Sequence, residues 1–406
     1  MSLFRDRRFA LLFVGQALNG IGSWAALIAM WGYAAYKFDS SGTGVAILGL
    51  CWSAPGAVLG PLAGIPIDRL GPKRVLIAAY IAGAVTAFAM GFARTFGELA
   101  ALGLLYGFTK AFAAPAADSL PPRIVPEDRL LAANAMLGAA SESAIVFGPL
   151  VAAGAIAVGG LRTAFFVDAV TYLIGAAAVA PLVLSKVDTA ERVRLRTELA
   201  EGWRLVTTTP MLRYVLTLST AVFVTWAAFM VIEPLYARDV LETSASQFAM
   251  FQVAFGVALV LTSLVLPRLG DRVAGPRPLA LSVVLSGLTA GLYVGTHSVW
   301  FAYAGVFLWG VDVAFFAAPS RTLLQKASPV HAHGRVLSLY RTAHSVADVA
   351  VLPLAGVAVA GVGVQTTGLV VAAFAVLIGL TGLVLVPAGS GAEADGADAA
   401  VVPVAA

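Results

Sequence analysis

Charged residues are scarce in this sequence. They make up 12% of its 406 residues, against about 25% in an ordinary soluble domain, and a soluble fold of this size could not dress its surface with so few. Cysteine is scarcer still. Cys51 stands alone, which excludes an intramolecular disulfide and a thiolate zinc cluster. The loops that carry common enzyme chemistry are missing as well: there is no G-x-x-x-x-G-K-[ST], no H-E-x-x-H and no G-x-S-x-G. No D-x-x-x-D pair of the kind a membrane prenyltransferase would use for a metal–diphosphate occurs, and Gly20-Ile21-Gly22 lies inside an apolar run, where a dinucleotide fingerprint has no place. No enzyme activity, cofactor or metal is therefore expected. An ATP-driven pump is excluded unless another chain supplies the nucleotide site, and an ion channel is disfavoured because no pore-loop signature is found.

What is present is long apolar stretches. Hydrophobic residues are 60% of the chain, and the runs 9–36, 75–93 and 369–386 each have the roughly 18 or more residues a bilayer-spanning helix needs. The runs are continuous rather than alternating, so they read as helices and not as barrel strands. Arg5, Arg7 and Arg8 precede an apolar run too long for a signal-peptide core, so it is taken as a first membrane helix. Windows of about 19 residues place spans near 9–35, 44–66, 75–94, 97–116, 130–157, 163–184, 213–236, 247–267, 278–296, 299–319, 335–360 and 366–387. Twenty-one of the 26 Lys and Arg fall in the termini and connections of one side. That side faces the cytoplasm by the positive-inside rule, which puts both termini inside and requires an even number of spans. The net charge of +4 is thus a topology signal; the lipid bilayer, and no nucleic acid, is the expected partner.

The expected organisation is a six-helix bundle over 1–185, a cytoplasmic linker over 186–212, a second bundle over 213–387 and a disordered tail over 388–406. In the linker, Leu195, Leu199, Trp203 and Val206 recur at helical spacing among charges, which fits an amphipathic helix on the inner membrane surface. The two halves repeat. Asp68-Arg69 returns as Asp271-Arg272, Phe112-Ala113-Ala114-Pro115 as Phe316-Ala317-Ala318-Pro319, Arg129 as Arg335 and Pro149 as Pro353, all at an offset of about 204 residues. Two halves in parallel orientation form a known transporter arrangement.

The stretch Gly64-Ile65-Pro66-Ile67-Asp68-Arg69-Leu70-Gly71-Pro72-Lys73-Arg74 resembles the cytoplasmic loop signature of the major facilitator superfamily, G-x-x-x-D-R-x-G-x-[KR]-[KR]. The segment from Phe112 through Pro115, Pro121, Pro126, Asn134 and Gly148-Pro149, with Glu201-Gly202-Trp203-Arg204 and Pro234-Leu235-Tyr236, is similar to the branch that contains enterobactin exporters and macrolide efflux proteins. The resemblance implies an all-α membrane fold of about twelve helices in two parallel-related six-helix bundles, in a monomer. It also implies a conformational latch built from Gly64, Asp68, Arg69, Gly71, Lys73, Arg74, Asp271 and Arg272, in which the aspartate faces the N-terminus of the eleventh span. The span-five antiporter signature survives only as Gly148-Pro149, with Ala144, Ala152 and Ala153 in place of its other glycines.

Ionisable groups inside a span are costly and mark function by default. Glu142, Asp312 and Asp348 are the proton-coupling candidates. Gln16, Asn19, Lys110, Ser141, Arg341 and His344 are candidates for a cavity wall. Arg341, His344 and Asp348 share a helical face, where protonation of Asp348 would free Arg341; Glu142 is placed to pair with Lys110. A static polar cluster accounts for the same residues equally well. Gly56-x-x-x-Gly60-x-x-x-Gly64 and Gly287-x-x-x-Gly291-x-x-x-Gly295 are read as close-packing stripes. The expectation is export of a small amphipathic molecule (a drug, antibiotic or siderophore-like metabolite) by alternating access, with protons exchanged. Proton-coupled uptake is the alternative, and a polytopic membrane enzyme a more distant one.

Overall fold

The computed structural model describes residues 3–184, 195–329 and 332–387. The expected disordered tail and the first part of the linker lie outside these residues. Among the described residues there is no strand, and twelve helices are long and apolar enough to cross a membrane. In chain order the helices are α1 (Arg7–Gly32), α2 (Gly42–Leu59), α3 (Gly64–Leu70), α4 (Pro72–Met90), α5 (Phe96–Asp118), α6 (Glu127–Gly159) and α7 (Leu161–Val179). They continue as α8 (Leu195–Thr208), α9 (Pro210–Asp239), α10 (Ala245–Leu269), α11 (Pro276–Val294), α12 (Val299–Lys326), α13 (His333–Val362) and α14 (Val364–Val384). All but α3 and α8 are spans.

Local chemistry sets the boundaries. Asp6 caps α1 by accepting from Arg8 N at 2.9 Å, and the Arg8 guanidinium beside it holds this carboxyl below its ordinary range. Ser244 and Gln247 close a capping box on α10. The second span is shorter than its apolar run suggests. Instead of reaching residue 66, α2 stops at Leu59, a 3-10 turn Gly60–Leu62 follows, and α3 begins at Gly64. Pro61 has no N–H to continue the ladder, and its ring disfavours the helix before it.

Helices α1, α2 and α4–α7 pack into one bundle, and α9–α14 into the other; α2 meets α13 and α6 meets α10 across the boundary. In lipid there is little hydrophobic drive between helices, so association rests on close van der Waals packing of small residues. A Cβ at Gly148 would collide with Trp24 Cβ, and one at Gly287 would stand 2.5 Å from Ala372 O. Large apolar side chains such as Val58, Val85, Leu264 and Leu377 point outward instead, as lipid solvent permits. The linker helix α8 docks on α13 and α9, with Gly202 against Leu339 and Arg335, Val206 buried and Trp203 exposed; the side chains of Leu195 and Leu199 lie outside the described ones.

The two ends of the molecule differ. At the end opposite the Lys/Arg-rich one, the bundles touch closely: a Cβ at Gly42 would lie 2.8 Å from Gly356 O, and one at Gly49 2.9 Å from the Leu352 side chain. Here α1 finishes in a π-helical turn, Tyr33–Lys37, in which Phe38 N bonds Tyr33 O and Ser40 N bonds Ala34 O. The Arg238 guanidinium reaches across from α9, donating to Ala35 O at 2.8 Å and Ser40 O at 3.2 Å and pairing with Asp39 at 2.9 Å. Carbonyls left over at a helix end need such a donor. At the Lys/Arg-rich end, by contrast, nothing lies within 4 Å of a Cβ position at Gly56, Gly60, Gly64 or Gly138. The stripe read as packing faces open space, whereas Gly287 packs on α14.

Candidate functional site

Between the bundles lies a cavity of about 570 Å³, within the range that holds a drug-sized ligand, and Gly56, one of the glycines that faces open space, lines it. Five of the expected wall residues line it: Gln16 and Asn19 from α1, Lys110 from α5, Ser141 from α6 and His344 from α13. Asp348 lines it as well. Trp24, Trp52, Tyr80 and Tyr172 give it aromatic surface.

The wall on the first bundle is built around a helix-spaced pair on α5, Tyr106 and Lys110. The Lys110 ammonium sits 3.5 Å from the centre of the Trp52 ring, a favourable cation–π placement, and Trp52 stacks on Tyr106 at 5.1 Å. The Tyr106 hydroxyl donates to Asp168 Oδ2 at 2.7 Å and lies within hydrogen-bond distance of the Ser23 hydroxyl, at 3.1 Å. Asp168 is fully buried on α7, and Thr171 Oγ1 lies 3.5 Å from its other carboxyl oxygen. Gly22 makes room for this group, because a Cβ there would meet Asp168 and Thr171. The residues that meet Lys110 are therefore Trp52 and, more distantly, Asp168. The expected pairing with Glu142 involves a side chain that lies outside the described ones.

On the facing wall, His344 Nε2 and Asp348 Oδ1 are 3.8 Å apart, and His344 stacks on Phe223 with ring centres 4.5 Å apart. Asp348 Oδ1 is buried without a hydrogen-bond partner. Arg341 does not join them. It lies two turns nearer the basic end, exposed, with Asp118 as a neighbouring charge; a long cationic side chain at a span end turns toward water. Asp312 is also away from the cavity. It is buried in α12 without a hydrogen-bond partner, with Trp309 Nε1 bonded to nearby Ser286 Oγ at 3.2 Å.

Of the loop residues, Gly71 adopts φ 83°, which favours glycine, and Lys73 Nζ donates to Leu182 O at 2.8 Å, tying the turn to the end of α7. Asp68, Arg69, Arg74 and Arg272 are exposed, and the Asp271 side chain is outside the described ones. Gly148 and buried Pro149 pack α6 on α1. Two buried carboxyls were passed over in the sequence, Asp168 and Glu233; the latter accepts from Gln252 Nε2 at 2.9 Å. Both lie near the edges of apolar runs, where hydropathy alone reads them as span ends. Tyr172, four residues after Asp168, was the available hint of a polar helix face.

A family model for the Major Facilitator Superfamily matches residues 12–241 and 215–404. An uncharacterised MFS-type transporter of Bacillus subtilis (strain 168), YfiS, is 22% identical over 94% of this chain and 94% of its own length. Macrolide efflux protein A of Streptococcus pyogenes is 22% identical over 82% of this chain and 84% of that protein. Among solved structures, a bacterial homologue of the human lysosomal transporter Spinster, inward-facing and unoccupied, superposes with a TM-score of 0.73 at 14% identity, over 95% of this chain and 97% of that one.

Proposed function

This chain belongs to the major facilitator superfamily, and from that premise we propose that it exports a small amphipathic molecule by alternating access, coupled to proton entry. The observation that carries the reading is the central cavity, open at one end and sealed at the other. With the Lys/Arg-rich end placed in the cytoplasm, both termini are inside a cytoplasmic membrane and the described state is loaded from within. The likeness to a macrolide efflux protein supports outward direction. The chain acts as a monomer, with bundles over 1–185 and 213–387 that rock against each other.

Asp348 is the favoured proton carrier among the three candidates, because it is the one described carboxyl that lines the cavity. Entry of one proton down 100 mV releases roughly 2.3 kcal/mol, and one pH unit adds about 1.4 kcal/mol. Together they sustain a gradient on the order of several hundredfold, ample for efflux.

The test is accumulation of fluorescent drugs, cationic, neutral and zwitterionic, in transporter-deficient cells expressing the protein, with and without an uncoupler. Lower accumulation that the uncoupler abolishes supports the reading. Raised accumulation with the same sensitivity overturns export in favour of uptake.

A further inference from the structure

We infer that the central cavity selects an amphoteric molecule, one whose anionic group meets Lys110 and whose cationic nitrogen meets Asp348. The inference rests on the reading of this cavity as the substrate site and names the charge class it takes.

The argument starts from what each wall leaves unsatisfied. Among the described side chains, the residues lining the cavity that can carry a charge near neutral pH are Lys110, His344 and Asp348. They stand on different bundles, Lys110 on α5 and the other two on α13. Lys110 has three N–H donors and makes no hydrogen bond to a described residue; the Trp52 ring attracts its charge but accepts no directed bond from each N–H. Asp168, the nearest carboxyl in charge terms, is sealed from the cavity and already receives the Tyr106 hydroxyl. Asn19 lines the same wall. The first wall therefore carries a cation whose N–H donors are unused.

The facing wall has the opposite deficit. Asp348 Oδ1 has no hydrogen-bond partner, and His344 Nε2 at 3.8 Å is too distant to serve as one. Met230, which lines the cavity from α9, is apolar.

A single charge satisfies one wall and offends the other. A monocation would gain Asp348 but face the Lys110 charge, and the Trp52 face that would otherwise attract it is already covered by that ammonium. A monoanion would gain Lys110 and face Asp348. Removing charges from water is costly unless each is paired, so a ligand bearing both signs is the one that leaves neither wall uncompensated.

The test is equilibrium dialysis of the purified full chain in lipid nanodiscs against three probes with one scaffold. They are ciprofloxacin, which carries a carboxylate and a piperazinium; its methyl ester, a monocation; and its N-acetyl derivative, a monoanion. The parent is expected to bind at least tenfold tighter than either derivative. Lys110→Ala should erase the advantage over the ester, and Asp348→Asn the advantage over the N-acetyl compound. Lys110→Met, which keeps the stem over Trp52, replaces the alanine variant if that one does not fold. Equal or tighter binding of a derivative, no binding of any probe, or a variant that weakens all three alike overturns the inference. Dialysis reads binding and not flux, so a chain that fails to export still passes this test, and one that exports monocations alone fails it.

Discussion

A carboxyl group inside a bilayer has to find donors or a wet cavity, because its alternatives in hydrocarbon cost several kcal/mol or more. Three of the described ones solve this differently. Asp168 takes the Tyr106 hydroxyl, Glu233 takes Gln252, and Asp348 borders the cavity. If coupling belongs to the group that water and substrate can reach, Asp348→Asn lowers pH-gradient-driven transport at least tenfold, while Asp312→Asn retains it. Initial rates in proteoliposomes with an imposed gradient decide this. The role of Tyr106 is structural by the same logic. Tyr106→Phe strips a buried carboxyl of its donor at a cost of about 1–3 kcal/mol. The thermal midpoint in detergent should fall, with dialysis of the quinolone probe little changed.

At the scale of helices, glycine has two meanings in this chain. Gly148→Leu drives a side chain into Trp24, and overpacking of this kind costs about 1–3 kcal/mol or more; a lower midpoint and loss of the monodisperse peak on gel filtration are expected. Gly60→Leu enters open space, so the midpoint is expected to hold while transport is lost, because the Lys/Arg-rich end must close on that face in the other state. Hydropathy could not separate these glycines, since spacing gives a stripe but not what faces it. Length and apolarity, by contrast, made all twelve spans legible, because the bilayer fixes how long a helix must be; ten match to within five residues, while α2 stops seven short of 66 and α12 runs seven beyond 319. The break after Leu59 was missed because Pro61 sits within an unbroken apolar run. The cavity wall was partly legible: Gln16, Asn19 and Lys110 stand out as polar residues at mid-span, whereas Trp52 and Asp168 acquire meaning only when α2, α5 and α7 are brought together.

For the molecule as a whole, the balance between states is set by how each end is held. Hydrogen bonds to a charged group contribute about 1.5–3 kcal/mol, so Arg238→Ala should shift the equilibrium away from the described state by roughly ten- to a hundredfold. A cysteine introduced as Ser53→Cys in a Cys51→Ser background would report it, through faster labelling by an impermeant thiol reagent added at the sealed side; unchanged labelling would remove Arg238 from the closure. Arg238 has a further property. Two of its partners are the main-chain oxygens of Ala35 and Ser40; Asp239 holds the guanidinium from its own helix, and Asp39, the side-chain partner across the boundary, is 90% exposed and contributes little. Main-chain acceptors persist whatever residues occupy those positions. The clamp is thus indifferent to mutational drift at 35 and 40, and a lineage could rewrite the side chains of that rim, and with them the lining of the path at that end, while keeping the seal, provided it keeps one arginine and the widened turn that leaves those oxygens unclaimed.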